Sequence, residues 1–227
     1  MNNYSVFDIV GPIMVGPSSS HTAGAARLAK LASLICGKNI VKVKFMLHGS
    51  FAKTYKGHGT DKALVAGILR MDPWDENLKN SFKIAKEKNI EITFTECDLG
   101  DVHPNTVKFI MTRKDGTTSE VTGSSIGGGN ILIFDIEGQD VEFRGDYPTL
   151  ITTHKDTPGI ISKITTMLYT DNINIGSMKV YRGGKGVNAT MALETDNIIP
   201  EDIIKKIKGI PEIQKIRVIN PIIEGEV

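Results

Sequence analysis

The sequence predicts an α+β protein in two parts. The first is a mixed α/β domain over residues 1–146, a sheet with helices against it, and the second is a β-α-β-β-α-β unit over 148–227. Three observations predict this. Strand-like segments outnumber helical ones in the first two thirds and are linked mainly by tight turns, which favours an antiparallel or mixed sheet. Beyond Gly145-Asp146-Tyr147-Pro148 the order of elements becomes regular. Finally, 227 residues suffice for two cores, since domains commonly run ~100–150 residues.

In chain order, Gly16-Pro17-Ser18-Ser19-Ser20-His21-Thr22-Ala23-Gly24 is helix-start chemistry. A serine side chain can accept from an orphan N–H one turn in. From Thr22 to Cys36, Ala25, Leu28, Ala29, Ala32 and Ile35 recur at helical spacing. Ile40–Leu47 alternates apolar and basic residues, as a half-buried strand does. Thr60–Leu69 and Pro73–Lys88 are expected helices, the second with an acidic first turn at Asp75 and Glu76. Ile90–Thr95 alternates again. Thr106–Thr112 and Thr118–Gly123 pair across an Asp115-Gly116 turn, and Ile131–Ile136 turns at Glu137-Gly138 into a strand ending at Phe143. In the second part, strands at Thr149–Thr153, Ile173–Arg182, Val187–Glu194 and Ile213–Ile219 alternate with helices opening at Pro158-Gly159 and spanning Pro200–Lys208. That order is ferredoxin-like.

Composition narrows function by exclusion. With 27 basic and 26 acidic residues, the chain has no electrostatic footprint for nucleic acid or an anionic membrane. Its apolar runs are too short to span a bilayer, and Met1-Asn2-Asn3-Tyr4 lacks the basic start of a signal peptide, so a cytoplasmic location is expected. The two cysteines, Cys36 and Cys97, are isolated, whereas an iron–sulphur cluster needs three or four thiolates. Both are expected as structural residues, in a helix and a strand.

Chemistry concentrates in a few segments. The hydroxyls Ser18, Ser19, Ser20 and Thr22 and the imidazole of His21 stand at a helix N-terminus, where unpaired N–H groups and the dipole favour a carboxylate or phosphate. His48 and His58 flank glycines 49, 57 and 59, but no carboxylate or cysteine completes a metal constellation around them. Ser124-Ser125-Ile126-Gly127-Gly128-Gly129 offers a run of N–H groups able to wrap an anion. It lacks the lysine of a phosphate loop and precedes a strand, which argues against nucleotide binding.

The blocks Ile9-Val10-Gly11-Pro12, Gly16–Thr22, Leu47–Thr54, Gly57–Ala63, His103-Pro104-Asn105-Thr106 and Gly123–Gly129 resemble, in order, the beta chain of bacterial iron–sulphur L-serine dehydratases. Asp156-Thr157-Pro158-Gly159-Ile160 with Asn172-Ile173-Asn174-Ile175 resembles the ACT domain. The first resemblance implies a two-chain enzyme that eliminates water from L-serine, giving pyruvate and ammonia, with a [4Fe–4S] cluster on a separate alpha chain. It implies His21 as the base candidate, Ser18, Ser19, Ser20 and Thr22 as orienting groups, and Ser124, Ser125, Gly127 and Gly128 as substrate contacts. The second implies self-association and an amino-acid site near His154, Asp156, Gly159 and Asn174. The N-terminal part also resembles the regulatory domain beside ACT domains in some phosphoglycerate dehydrogenases. That leaves a non-catalytic serine sensor or a dimerising scaffold as alternatives.

Overall fold

The structure, a computed structural model, describes residues 14–184 and 186–220. The Met1–Tyr4 segment and the Ile9–Pro12 block lie outside the described residues. By packing, the chain divides into two units, 1–138 and 139–227.

In the first unit a π-helical turn, Ser19–Gly24, runs directly into α1 (Ala25–Cys36). The expected apolar stripe of Ala25, Leu28, Ala29, Ala32 and Ile35 is buried. Gly37, at φ 101°, ends the helix in a conformation that costs glycine little. Then come β1 (Ile40–Leu47), α2 (Gly49–Thr54), α3 (Thr60–Ile68), a 3₁₀ turn (Glu76–Asn80), α4 (Ser81–Glu87) and β2 (Glu91–Glu96). Three strands follow: β3 (Thr106–Arg113), β4 (Thr118–Gly127) and β5 (Asn130–Ile136). Within the first unit the hydrogen-bonded sheet order is β2-β1-β3-β4-β5, and the next strand, β6, is Gln139–Phe143. By packing, β6 counts with the second unit, whereas the sequence places the boundary at 145–148. The β1–β2 pair is parallel and the β1–β3, β3–β4 and β4–β5 pairs are antiparallel, so the sheet is mixed, as expected. Phe45 and Phe109, side by side in the β1–β3 register, are fully buried and pack edge to face.

Three local expectations are corrected. The helix expected over Pro73–Lys88 is two pieces, because the Asp75 carboxylate accepts from Asn77 N at 2.8 Å and so caps a 3₁₀ turn from outside it. The short α2 was not expected at all. The Ser124–Gly129 run is not an open loop: residues through Gly127 belong to β4, Ser125 pairs with Ile131, and Gly127 pairs with Asn130. Its glycines adopt positive φ to make the turn into β5.

The second unit contains β7 (Thr149–Lys155), α5 (Ile160–Thr170), β8 (Ile175–Arg182), β9 (Asn188–Thr195), α6 (Glu201–Lys208) and β10 (Ile213–Ile219). Its sheet order is β10-β7-β9-β8, and the β-α-β-β-α-β succession matches the expectation. Leu150, Met191 and Leu193 from the strands meet Ile160, Ile164, Leu168, Ile203 and Ile207 from the helices in one core.

Candidate functional site

The serine run builds the entrance to α1. Ser18 is the N-cap: its hydroxyl accepts from His21 N at 3.2 Å and its carbonyl from Thr22 N at 2.9 Å. Among the described residues, this leaves the N–H groups of Ser19 and Ser20 as the unpaired helix-start donors. The turn after the cap is π rather than α, a rare geometry that is frequent at functional sites. Ser125 of β4 holds it there by donating its hydroxyl to the Ser20 carbonyl at 2.9 Å. That approach requires glycine at 24, since a Cβ there would overlap the Ser125 hydroxyl.

From this turn the His21 ring projects into a cluster of polar and aromatic groups. Nδ1 lies 3.1 Å from Ser20 Oγ and Nε2 lies 3.2 Å from Ser50 Oγ. The Phe51 ring meets it edge-on at a centroid distance of 5.2 Å, and the His58 ring is tilted beside it at 5.0 Å. Burial, reinforced by the neighbouring His58, pushes the His21 pKa below its ordinary value. The ring is therefore neutral at physiological pH, with one nitrogen lone pair able to take a proton.

Ser50 and Phe51 reach the cluster on α2. Gly49 enters this helix at φ 57°, and the Pro104 carbonyl accepts from Ser50 N at 2.8 Å. The separated blocks 16–24, 47–54, 57–60, 103–106 and 123–125 thus converge in space.

Within that convergence several expected site residues have internal partners. The Thr22 hydroxyl donates to the His58 carbonyl at 3.4 Å, and Ser124 forms a buried 2.6 Å bond with Thr106 Oγ1. Ser19 is half-buried, and Gly127 and Gly128 lie in the β4–β5 turn. His48 Nδ1 accepts from Leu99 N and His103 Nδ1 from Asn105 N, both at 3.1 Å, so each anchors backbone next to the site. Ser50 was not singled out by the sequence reading. Its one cue is proximity to the glycine-flanked histidines, since only α2 brings it to His21.

Among the described residues, no group of three or more His, Cys, Asp or Glu side chains is arranged to hold a metal ion. Cys36 is buried at the end of α1, and Cys97 follows β2 with its Sγ 3.6 Å from the Leu47 carbonyl. Burial, then the Asp98 charge, pushes the Cys97 thiol pKa up, the opposite of what thiolate ligation requires. This donor set does not fit an iron–sulphur cluster. No helix among the described residues is long and apolar enough to cross a membrane.

In the second unit, Asp156, Gly159 and Arg182 line a cavity of about 650 Å³ at the start of α5. The Asp156 carboxylate is ion-paired with Arg182, whose Nε lies 2.8 Å away. Asn174 is not brought to it: its amide donates to Asp196 at 2.8 Å, beside a separate recess at the far end of α5. His154 is 1 % exposed, with Nδ1 3.2 Å from Thr152 Oγ1.

Burial lowers the His154 pKa against the opposing pull of Asp156. Below its ordinary value of 6.5 the unfolded chain holds this proton more readily than the native one. The stability associated with neutral His154 is complete above that value and lost as pH falls through the lower native pKa. Urea unfolding at a series of pH values should therefore show stability declining below pH 6.5. His154→Gln should flatten that decline, and an unchanged slope would assign it to other groups.

Residues 149–212 match the family described as the ACT domain, which places the chain in the class of proteins that carry this small module after a larger α/β unit. Residues 5–81 match the family described as serine dehydratase beta chain. The chain is 44 % identical to the L-serine dehydratase beta chain of Peptoniphilus asaccharolyticus, over 92 % of its own length and 95 % of that chain. It is 42 % identical to a probable L-serine dehydratase beta chain of Bacillus subtilis, over 94 % and 96 %. A D-3-phosphoglycerate dehydrogenase of Methanocaldococcus jannaschii is 29 % identical over 86 % of this chain but only 37 % of its own. The chain belongs to the serine dehydratase beta-chain family.

Proposed function

We propose that the chain is the beta subunit of a two-chain L-serine dehydratase and supplies the base that removes the substrate Cα proton. The observation that carries this reading is the neutral, half-buried His21 ring set among the hydroxyls of Ser18, Ser20 and Ser50 at a helix start. The serine carboxylate would be received by the N–H groups of Ser19 and Ser20, which have no partner among the described residues, with the hydroxyls of Ser18, Ser19 and Ser20 orienting it. Thr22, through the His58 carbonyl, and Ser125, through the Ser20 carbonyl, support the turn.

His21 takes the Cα proton onto a ring nitrogen, and the electron pair of that bond forms the Cα=Cβ bond as the β-hydroxyl leaves. The aminoacrylate released tautomerises and hydrolyses to pyruvate and ammonia. Assistance to the departing hydroxyl is the partner's share in this reading. The cluster is assigned to the alpha chain, because this chain's two isolated cysteines cannot ligate it. The ACT unit would self-associate and sense an amino acid in the cytoplasm.

Anaerobic co-expression with the alpha chain tests the division of labour. The beta chain alone should purify colourless and inactive, and the pair brown and able to form pyruvate from serine. Stoichiometric iron and sulphide on the beta chain alone would overturn it.

One observation favours a second reading: the similarity to phosphoglycerate dehydrogenases runs through both units while covering little more than a third of those enzymes. Under that reading the chain is a serine-sensing regulatory subunit or a scaffold. Variants at His21 would then keep turnover and change only its response to serine.

A further inference from the structure

The helices α1 and α3 run side by side in the same direction. The Thr22 hydroxyl at the head of one meets the His58 carbonyl at the head of the other, and further along a Cβ added at Gly67 would overlap the Ala26 carbonyl oxygen. Both helix starts therefore stand at the end of the pair where the His21 cluster lies. Two dipoles with their positive ends together repel each other, and an anion seated at those ends offsets the repulsion.

Most donors at the start of α3 are occupied. Asp61 N–H donates to the Tyr55 carbonyl at 3.3 Å, the Asp61 carboxylate accepts from Lys62 N at 2.8 Å, and Ala63 N–H donates to the Gly59 carbonyl at 3.0 Å. Thr60 is the exception. It is fully buried, yet its hydroxyl has no hydrogen-bond partner, and among the described residues its N–H has none either. The N-cap is Gly59, which has no side chain to accept from them. Buried hydroxyls are almost always bonded, because an orphan gives up its water without replacement. Here a hydroxyl and the N–H of the same residue form a pair of donors awaiting an acceptor.

We propose that Thr60 is a substrate-binding residue whose hydroxyl and N–H donate to the carboxylate received by the Ser19 and Ser20 N–H groups of the neighbouring helix start. The inference rests on the reading of this site as the L-serine site, to which it adds a second wall. The four donors match the roughly four lone-pair sites of one carboxylate. No bond is made or broken at Thr60. A buried water is the other occupant that such a hydroxyl takes, and the two differ in what the fold loses when the hydroxyl is removed.

Thr60→Val keeps the shape of the side chain and removes the hydroxyl. In the full chain without its partner, it should leave the urea midpoint unchanged or raise it, since an orphaned group goes and no bond is broken. In the complex with the alpha chain, the same variant should raise KM for serine about tenfold, more than it lowers kcat, the effect of one lost hydrogen bond to a charged group. Thr60→Ser, which keeps the hydroxyl, should restore KM. Nitrogen-15 histidine spectra should show the His21 ring signals, assigned from those missing in His21→Ala, unmoved by the valine. A lowered midpoint would reveal a structural water under Thr60 and overturn the proposal, as would an unchanged KM or displaced His21 signals. If the complex forms no pyruvate from serine, it is the dehydratase reading that fails, and calorimetric titration of the complex with serine decides the contact. Binding weakened by the valine upholds Thr60, and binding that is absent or indifferent to it overturns the proposal.

Discussion

In the assembled two-chain complex, His21→Ala should lower serine turnover by roughly 10²–10⁴-fold, the usual contribution of a positioned acid–base group. The complex should still assemble, since His21 is half-buried at the site rather than part of the core. Its pKa is lowered by burial and by His58, so the unmodified enzyme should retain its neutral base to pH values below 6.5. The acid limb of kcat/KM should accordingly fall below that value, and protonation should switch activity off from there downward. Turnover that survives the alanine substitution, with only the serine response altered, would move this chain from chemistry to regulation.

Gly67→Ala should destabilise the first unit by roughly 1–3 kcal/mol through overpacking. The direction is decided by two opposed effects. In a helix interior alanine is favoured over glycine by ~1 kcal/mol. Here, however, the added Cβ would overlap the Ala26 carbonyl oxygen and sit 2.6 Å from Ala29 Cβ and 2.8 Å from Lys30 N. Backbone cannot swing aside as a flexible side chain can, so α1 and α3 would have to separate. Because α1 continues from the π turn, the displacement should also reach His21. Denaturant midpoints and the His21 ring signals report the two effects separately. A midpoint equal to or above that of the unmodified chain would show that the helices adjust freely.

How much was legible in the sequence depended on whether a segment carried its own signal. Ile40–Leu47 and Ile213–Ile219 were read to the residue, the first because apolar and basic residues alternate along it as in a half-buried strand. The β-α-β-β-α-β unit was legible for the same reason, each element being bounded by its own glycine, proline or asparagine. Six-residue α2 was not, since it is too short for a periodic pattern and depends on the Pro104 carbonyl, more than fifty residues away in sequence. The Gly127-Gly128-Gly129 run looked flexible because glycine permits many conformations, whereas the pairing of Gly127 with Asn130, and of Ser125 with Ile131 just before it, selects one. At the site, Ser18 as a cap and His21 as its neighbour were visible. The roles of Ser50 and Ser125 exist only through tertiary contact.

The π turn also makes the length of the serine run as consequential as its composition. A π turn holds one more residue than the α turn it replaces, and each residue of a regular helix advances the side chains by about 100°. A single deletion among Ser18, Ser19 and Ser20 would let α1 continue backward as ordinary helix and rotate the imidazole away from Ser50. All the residues named for chemistry could remain in the chain, yet no longer meet. For this motif, gaining or losing one codon is a greater hazard than exchanging one hydroxyl for another.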